Sequence, residues 1–365
     1  MNHLYFLVAW NKNKEKTWSG TCWGLFKALK KYFSVEDIDI NLSKFENLVG
    51  KIKRRLFHRD NLFGLNDILK QRKKVRKILN TDKKSIVFQF AEVVSNASNV
   101  DSYIYIDEDV NHVKYLYENE PEVYNKSNFI NTNIKSINKR NDSQVAYFAN
   151  CSGIFTMGHW LKKSIVERLN ISPDLVHNVG GGINLDVSKI KEGKRAHNKI
   201  LFVGRDFERK GGHLVVEAFI QLKKQRPNIE LHIAGPSHNP INDNIENIYF
   251  YGDCNRNDIA DLMNKCDIFC MPSYFEAYGL VFIEALVFGL PCIGRNAYEM
   301  PYFIENEKTG LLIDDDNVDE LACKISILLD DNSYSVRVKE KRNWYIKEYS
   351  WDTVACKIYS VINGD

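Results

Sequence analysis

Short apolar runs rich in β-branched and aromatic residues alternate along the chain with longer stretches of helical period, and the alternation occurs twice. In the first half, residues 3–9, 38–42, 85–90 and 103–106 predict strands, followed by either 144–149 or 153–156, and then by 175–179. Runs of this kind between helical stretches predict a parallel sheet wrapped by helices. Residues 186–198 are polar, rich in Lys and Glu, and read as a linker. The alternation then starts afresh, with strands at 200–203, 230–234, 248–251, 268–271, 291–294 and 310–313. Helices are expected at 212–224, 256–265, 279–288 and 318–329. The last segment, 338–362, is helical in pattern, and at Tyr349, Ser350 and Trp351 the chain is expected to bend back toward the first half.

At 365 residues the chain exceeds the size at which one hydrophobic core stops growing. The expected division is a domain of residues 1–193 and another of 194–345, with a helix at 346–365 packing back on the first. Two doubly wound domains in tandem place a cleft between the carboxyl ends of their strands, where open α/β sheets bind ligands.

Composition narrows the class without choosing a function. Apolar residues make up 44% and charged residues 27%, as in globular proteins, and no apolar run is long enough to span a bilayer. The start, Met1-Asn2-His3, lacks a basic leader, so a cytoplasmic protein is expected. Eight cysteines without CxxC spacing suit a reducing compartment. Cys266 and Cys270 lack two further ligands at comparable spacing, so no zinc site is expected there.

Net charge is only +3, yet between Lys51 and Lys77 eleven Lys and Arg residues face only Asp60 and Asp67. Such a patch suits a solvated helix face, a nucleic-acid footprint or a seat for anionic lipid head groups, and composition alone does not choose; the last would place the protein peripherally at the inner face of a membrane. Nucleic acid is not expected as a partner, because aromatic stacking platforms are sparse in the stretch.

Two clusters carry the chemistry. The first, Phe202-Val-Gly-Arg-Asp-Phe-Glu-Arg-Lys-Gly-Gly212, follows the first strand of the second domain. Gly204, Arg205 and Lys210, with glycines opening a helix, supply cations and amides where phosphate oxygens are favoured. It is neither a Walker A loop nor GxGxxG. The second cluster runs from Pro272 to Leu286 and contains Glu276 in a loop and Glu284 inside an apolar helix. A buried Glu284 needs partners, and two ribose hydroxyls would supply them. Amides around Ala277, Tyr278, Gly279 and Leu280 would point from a helix N-terminus toward a diphosphate. A capping Glu276 and a Glu284 paired with an arginine are the structural alternatives.

Taken together, these clusters resemble the family 4 glycosyltransferases, which are retaining enzymes of the GT-B fold. The matching features are GlyArg with a downstream LysGly, two glutamates separated by seven residues, Gly289-Leu290-Pro291, and ThrGlyLeuLeu from Thr309 to Leu312. The resemblance implies an α/β GT-B protein with two Rossmann-like doubly wound domains facing each other across a cleft. It further implies Arg205 and Lys210 on the donor diphosphate, Glu276 on the donor sugar and Glu284 on the nucleotide ribose. In the first domain, Gly20 and Thr21 stand where the family has a glycine-rich loop near the donor. Asp107 looks like the strand-end residue that faces the transferred sugar, while Asp109 is read as surface. Trp160 and Asn184 are assigned to core packing and helix capping; His112 and His159 are weaker candidates for substrate contact.

Asp107-Glu-Asp109 also spells the Asp-X-Asp that holds a divalent metal in the other large glycosyltransferase fold. A second domain with its own cationic clamp argues against that reading, so no metal is expected. The expected activity is transfer of a sugar from a nucleotide diphosphate sugar, with UDP the expected carrier, to a carbohydrate or lipid-linked acceptor in surface glycan or glycoconjugate assembly. The alternatives are a nucleotide-sugar epimerase, or a non-catalytic nucleotide-sugar-binding partner subunit of another transferase.

Overall fold

The structure, a computed structural model, describes residues 2–46, 48–49, 64–79, 84–130, 132–193, 198–241 and 245–364. The chain divides into one unit of Met1–Gly182 with Trp351–Asp365, and a second of Ile183–Ser350.

In the first unit, β1 (His3–Val8), β2 (Ser34–Asp39), β3 (Ser85–Gln89), β4 (Val100–Ile106), β5 (Gly153–Thr156) and β6 (Val176–Asn178) form one parallel sheet. Their order is β2-β1-β3-β4-β5-β6. The inner strands are buried along almost their whole length, whereas β2 alternates in exposure, as an edge must. One face carries an aromatic row in which Phe6 stacks on Phe88 at 5.7 Å and Phe88 on Phe155 at 6.0 Å. Elsewhere Ile104, Ile106, Ile154 and Val176 of the sheet meet Tyr147, Phe148, Leu161 and Ile165 from the helices Ile134–Phe148 and His159–Leu169.

Two sequence expectations change here. Residues 144–149 fall largely within the helix Ile134–Phe148, and the strand is β5. Asn133 caps that helix by accepting from the Ser136 amide at 2.9 Å. Its buried face includes Arg140, Asn141 and Gln144, polar residues that disguise the helical stripe. The edge strand β2 begins at Ser34 and ends at Asp39, pairing with β1 from His3↔Ser34 to Val8↔Asp39. Its charges at Glu36, Asp37 and Asp39 hid it from a reading based on apolar runs.

In the second unit, β7 (Lys199–Val203), β8 (Glu230–Ala234), β9 (Ile248–Phe250), β10 (Ile268–Cys270), β11 (Cys292–Arg295) and β12 (Gly310–Ile313) form another parallel sheet. The order β12-β11-β10-β7-β8-β9 is that of a doubly wound nucleotide-binding sheet, with its switch point between β7 and β10. Helices Gly212–Lys223, Arg256–Lys265 and Leu280–Val287 connect these strands, and Val318–Asp330 follows the last of them.

The unit boundary lies ahead of the 193/194 division expected from composition. Residues 183–193 are tied into the second unit, where the Asn264 side chain donates to Lys189 O and accepts from Lys191 N, both at 2.9 Å. Of the expected linker, residues 194–197 lie outside the described residues. The helix Trp351–Asn363 belongs to the first unit. There Trp351 lies against Gly24 and Gly182, where a Cβ would come within 2.3 and 2.5 Å of its indole. Among the described residues no helix is long and apolar enough to cross a membrane.

Candidate functional site

In the second unit, the loops leaving β7 and β10 rise side by side at the switch point, where ligands of such sheets sit. They are tied together at one carbonyl: Arg209 O accepts from Tyr274 N at 2.9 Å and from Ser273 Oγ at 3.3 Å. Two glycines allow this approach. A Cβ on Gly204 would lie 2.2 Å from Cδ of Lys210, so the missing side chain is the space the lysine stem fills. Gly211 holds φ at +73°, and a Cβ there would meet Pro272 O at 2.5 Å.

Lys210 Nζ is thereby delivered to Glu276 Oε2 at 2.8 Å, with Arg209 Nη1 3.7 Å from the same oxygen. All three side chains are nearly buried, at 12 or 13% exposure. Arg209 is oriented by Asp206, which accepts from its Nε at 3.2 Å, and by Phe275 O. Burial alone would raise the Glu276 carboxyl, yet Lys210 and Arg209 beside it, aided by Ser273, hold it below the usual carboxylate range. The cluster is therefore two cations, Lys210 and Arg209, held between the carboxylates of Glu276 and Asp206 at the mouth of the sheet.

Sequence reasoning overlooked Arg209, although it stands next to Lys210 in the quoted cluster. Arg205 lies apart, with a side chain 79% exposed and a 3.5 Å contact to Asp253. Glu284 is buried in the helix Leu280–Val287, and its Oε1 accepts from the amides of Asn184 and Leu185 at 3.1 and 3.2 Å. Burial pushes its carboxyl up to about 7 despite those two donors. Asn184, expected to cap a helix, thus contributes a backbone amide to Glu284. Gly279 opens the helix of Glu284 at φ +92°. Tyr278 beside it is buried edge-on to Phe303, and Ala277 and Leu280 are half-buried.

In the first unit, Trp18 (φ +47°), Ser19 (φ +54°) and Gly20 (φ +99°) run in succession through left-handed backbone before Thr21 starts the helix Thr21–Leu29. For the two residues with side chains this strain costs about 1–3 kcal/mol each, the kind of cost that collects at binding loops. Trp18 and Asp107 line a cavity at the carboxyl ends of β3 and β4. Asp109, read as surface from the sequence, is 2% exposed. It caps the helix Val110–Asn119, accepting from His112 N at 2.6 Å, and burial raises its carboxyl to about 6. The cap explains the burial: β4 ends so close to this helix that the third carboxylate must turn inward.

His112 is buried and neutral, its pKa driven down to about 3 by burial and by Arg168, whose Nη1 donates to its Nδ1 at 3.0 Å. His159 is exposed, and Trp160 packs half-buried against the sheet core. Glu92, Arg140 and Gln144, which sequence reasoning left unassigned, also line the cavity.

Residues 186–349, nearly the whole second unit, match the model of the family described as Glycosyl transferases group 1. Over that region the chain is similar to the glycosyltransferases of this group, in keeping with its family 4 motifs, and its two parallel six-stranded units are of the GT-B class. Among relatives, it is 28% identical over 171 residues to the D-inositol 3-phosphate glycosyltransferase of Corynebacterium kroppenstedtii, covering 43% of this chain and 38% of that one. It is 34% identical over 107 residues to a GDP-mannose-dependent phosphatidylinositol monomannoside mannosyltransferase of Mycobacterium tuberculosis, covering 27% of this chain and 28% of that one. The matches thus span well under half the length of these relatives. In fold, it resembles the Anabaena protein HepE, solved with UDP and glucose, with a TM-score of 0.69, 14% identity and 99% of each chain covered.

Proposed function

We propose that the chain is a retaining glycosyltransferase that moves a sugar from a nucleotide diphosphate sugar, with UDP as carrier, to a carbohydrate or lipid-linked acceptor in surface glycan assembly. The observation that carries this reading is the Lys210–Arg209–Glu276 cluster at the β7/β10 switch point. Charge building on the leaving diphosphate would be met by Lys210 and Arg209, which are already fixed by Asp206, Phe275 and the two glycines. Glu276, between these cations, would accept from a sugar hydroxyl next to the diphosphate. Glu284, deeper in its helix, would take the ribose. Because two side-chain cations neutralise the leaving group, the reaction needs no divalent metal. Retention of anomeric configuration is supported by the family motifs, and UDP by the ligand of HepE.

The basic stretch would hold the protein beside a lipid-linked acceptor on the cytoplasmic face of a membrane. Lys51, Lys53, Arg54, Arg55 and Arg59 lie outside the described residues. Of the remainder, Arg72 donates to Glu92 O and Val93 O, and Lys74 to Asp39 O and Asn41 O, so both are spent on the fold. Lys73, Arg76 and Lys77 are exposed, and each cation near an anionic surface contributes about 1 kcal/mol.

The test is incubation with a panel of nucleotide sugars and glycan acceptors in excess EDTA, with product configuration read by NMR. A product that retains the donor's configuration, formed at undiminished rate, supports the reading. Inversion, or activity lost in EDTA and restored by magnesium or manganese, counts against it.

A further inference from the structure

Among the described residues of the second unit, Asn198, Asn247, Tyr298 and Glu307 hold left-handed backbone without being glycine. Asparagine tolerates that region, and Glu307 sits exposed in a tight turn, its amide donating to Gly310 O at 2.9 Å. Tyr298, at φ +56°, is the bulky exception. For a residue of its size such backbone is a true outlier, and it persists only where the surroundings force it.

Those surroundings lie on both sides of it in the chain. Asn296 N donates to Ile313 O at 2.8 Å and Asn296 Nδ2 to Asp314 Oδ1 at 2.9 Å, which carries the pairing of β11 with β12 one residue further. Glu299 and Met300 are buried at 1% and 0% exposure, and Glu299 O accepts from Tyr302 N at 3.0 Å. The chain therefore has only Ala297 and Tyr298 in which to turn. Glycine would make that turn without strain, so the tyrosine ring has a backbone cost to offset. The ring is half-buried and meets Phe275 edge-on, with centroids 5.0 Å apart and planes at 88°, a geometry that aromatic pairs favour. Phe275, 4% exposed, stands directly before Glu276, and its carbonyl accepts from Arg209 Nη1. One residue thus carries the Tyr298 contact on its ring and the Arg209 guanidinium on its backbone oxygen.

We propose that Tyr298 is a positioning residue for the Lys210–Arg209–Glu276 cluster: its ring, aimed by left-handed backbone, fixes Phe275 so that the Phe275 carbonyl sets the place of the Arg209 guanidinium. That this guanidinium serves a nucleotide diphosphate rests on the transferase reading; that Tyr298 fixes it does not. Two readouts on the whole chain keep these apart. The first needs no ligand: NMR of the Arg209 Nε–H group, assigned by its disappearance in Arg209→Lys. The second is calorimetric titration of UDP and GDP. Tyr298→Gly and Tyr298→Asn both remove the ring and accept left-handed backbone, so circular dichroism and urea unfolding should find them folded. Tyr298→Phe keeps the ring.

In the parent and in Tyr298→Phe the Arg209 Nε–H should exchange slowly with water, and in the two ringless variants about tenfold faster or more. The ringless variants should bind the nucleotide about tenfold more weakly, while Tyr298→Phe binds it like the parent. In an Arg209→Lys background, Tyr298→Gly should weaken the nucleotide about twofold at most, because the group it positions is gone. Unchanged exchange at Arg209, a loss in Tyr298→Phe as large as in Tyr298→Gly, or an equal loss with and without Arg209 would overturn the proposal. So would failure of both ringless variants to fold, which would make the ring structural. If Arg209 responds as expected and neither nucleotide binds the parent, the transferase reading falls and the positioning role stands; if a nucleotide binds and Arg209 does not respond, the reverse holds.

Discussion

Replacing Glu284 with glutamine should abolish a loss of stability that the parent suffers as the pH rises. The carboxyl is 8% exposed, and burial lifts it from an ordinary 4.5 to about 7, outweighing the amides of Asn184 and Leu185. Because the folded-state pKa lies above the unfolded one, the folded chain holds this proton more tightly. The resulting stability is fully present below about pH 4.5 and is lost as the pH rises through about 7. At about 1.4 kcal/mol for each pKa unit, the loss is on the order of 3 kcal/mol. Glutamine keeps a carbonyl oxygen for the two amides and never ionises. Urea unfolding at pH 5 and pH 8, followed through the transition that added nucleotide shifts, reports the second unit. Between those pH values the variant should gain about 2–3 kcal/mol on the parent. A difference between variant and parent that stays flat from pH 5 to 8 would refute the reasoning.

The other perturbations separate roles. Glu276→Gln removes the carboxylate between Lys210 and Arg209 but leaves both cations, so free nucleoside diphosphate should bind as well as before or better. Turnover should fall about ten- to two-hundredfold, as expected for a lost charged hydrogen bond to the sugar; steady-state rates set beside calorimetry check both. Sedimentation with vesicles should show binding to anionic lipid at low salt and none to neutral lipid, and equal binding to both would remove the membrane role of the basic stretch.

What the sequence revealed follows from how each feature is encoded. The second unit was legible nearly strand by strand, because its inner strands are continuous apolar runs and its glycines stand where the loops of β7 and β10 nearly touch. The helix Ile134–Phe148 was harder to read, since the face it buries carries Arg140, Asn141 and Gln144 in place of apolar residues. That same departure builds the polar cavity, so the sequence was least readable where the first unit is most unusual. Asp109 looked like surface because a helix N-cap and an exposed aspartate have the same local pattern, and only the packing distinguishes them. Arg209 was passed over because adjacent cations in a loop do not announce which one turns inward. Here Asp206 and Phe275 O decide it.

If Lys210 and Arg209 hold a diphosphate at the carboxyl ends of β7 and β10, calorimetric titration of UDP and GDP in EDTA should detect binding of at least one. Lys210→Gln, shown by circular dichroism to be folded, should then weaken that nucleotide about ten- to two-hundredfold, the cost of one charged hydrogen bond. Uridine and guanosine, which lack the phosphates, should bind parent and variant alike. Equal affinity of parent and Lys210→Gln for the diphosphate, or no binding of either nucleotide to the parent, would contradict the assignment of this cluster to a nucleotide-sugar donor.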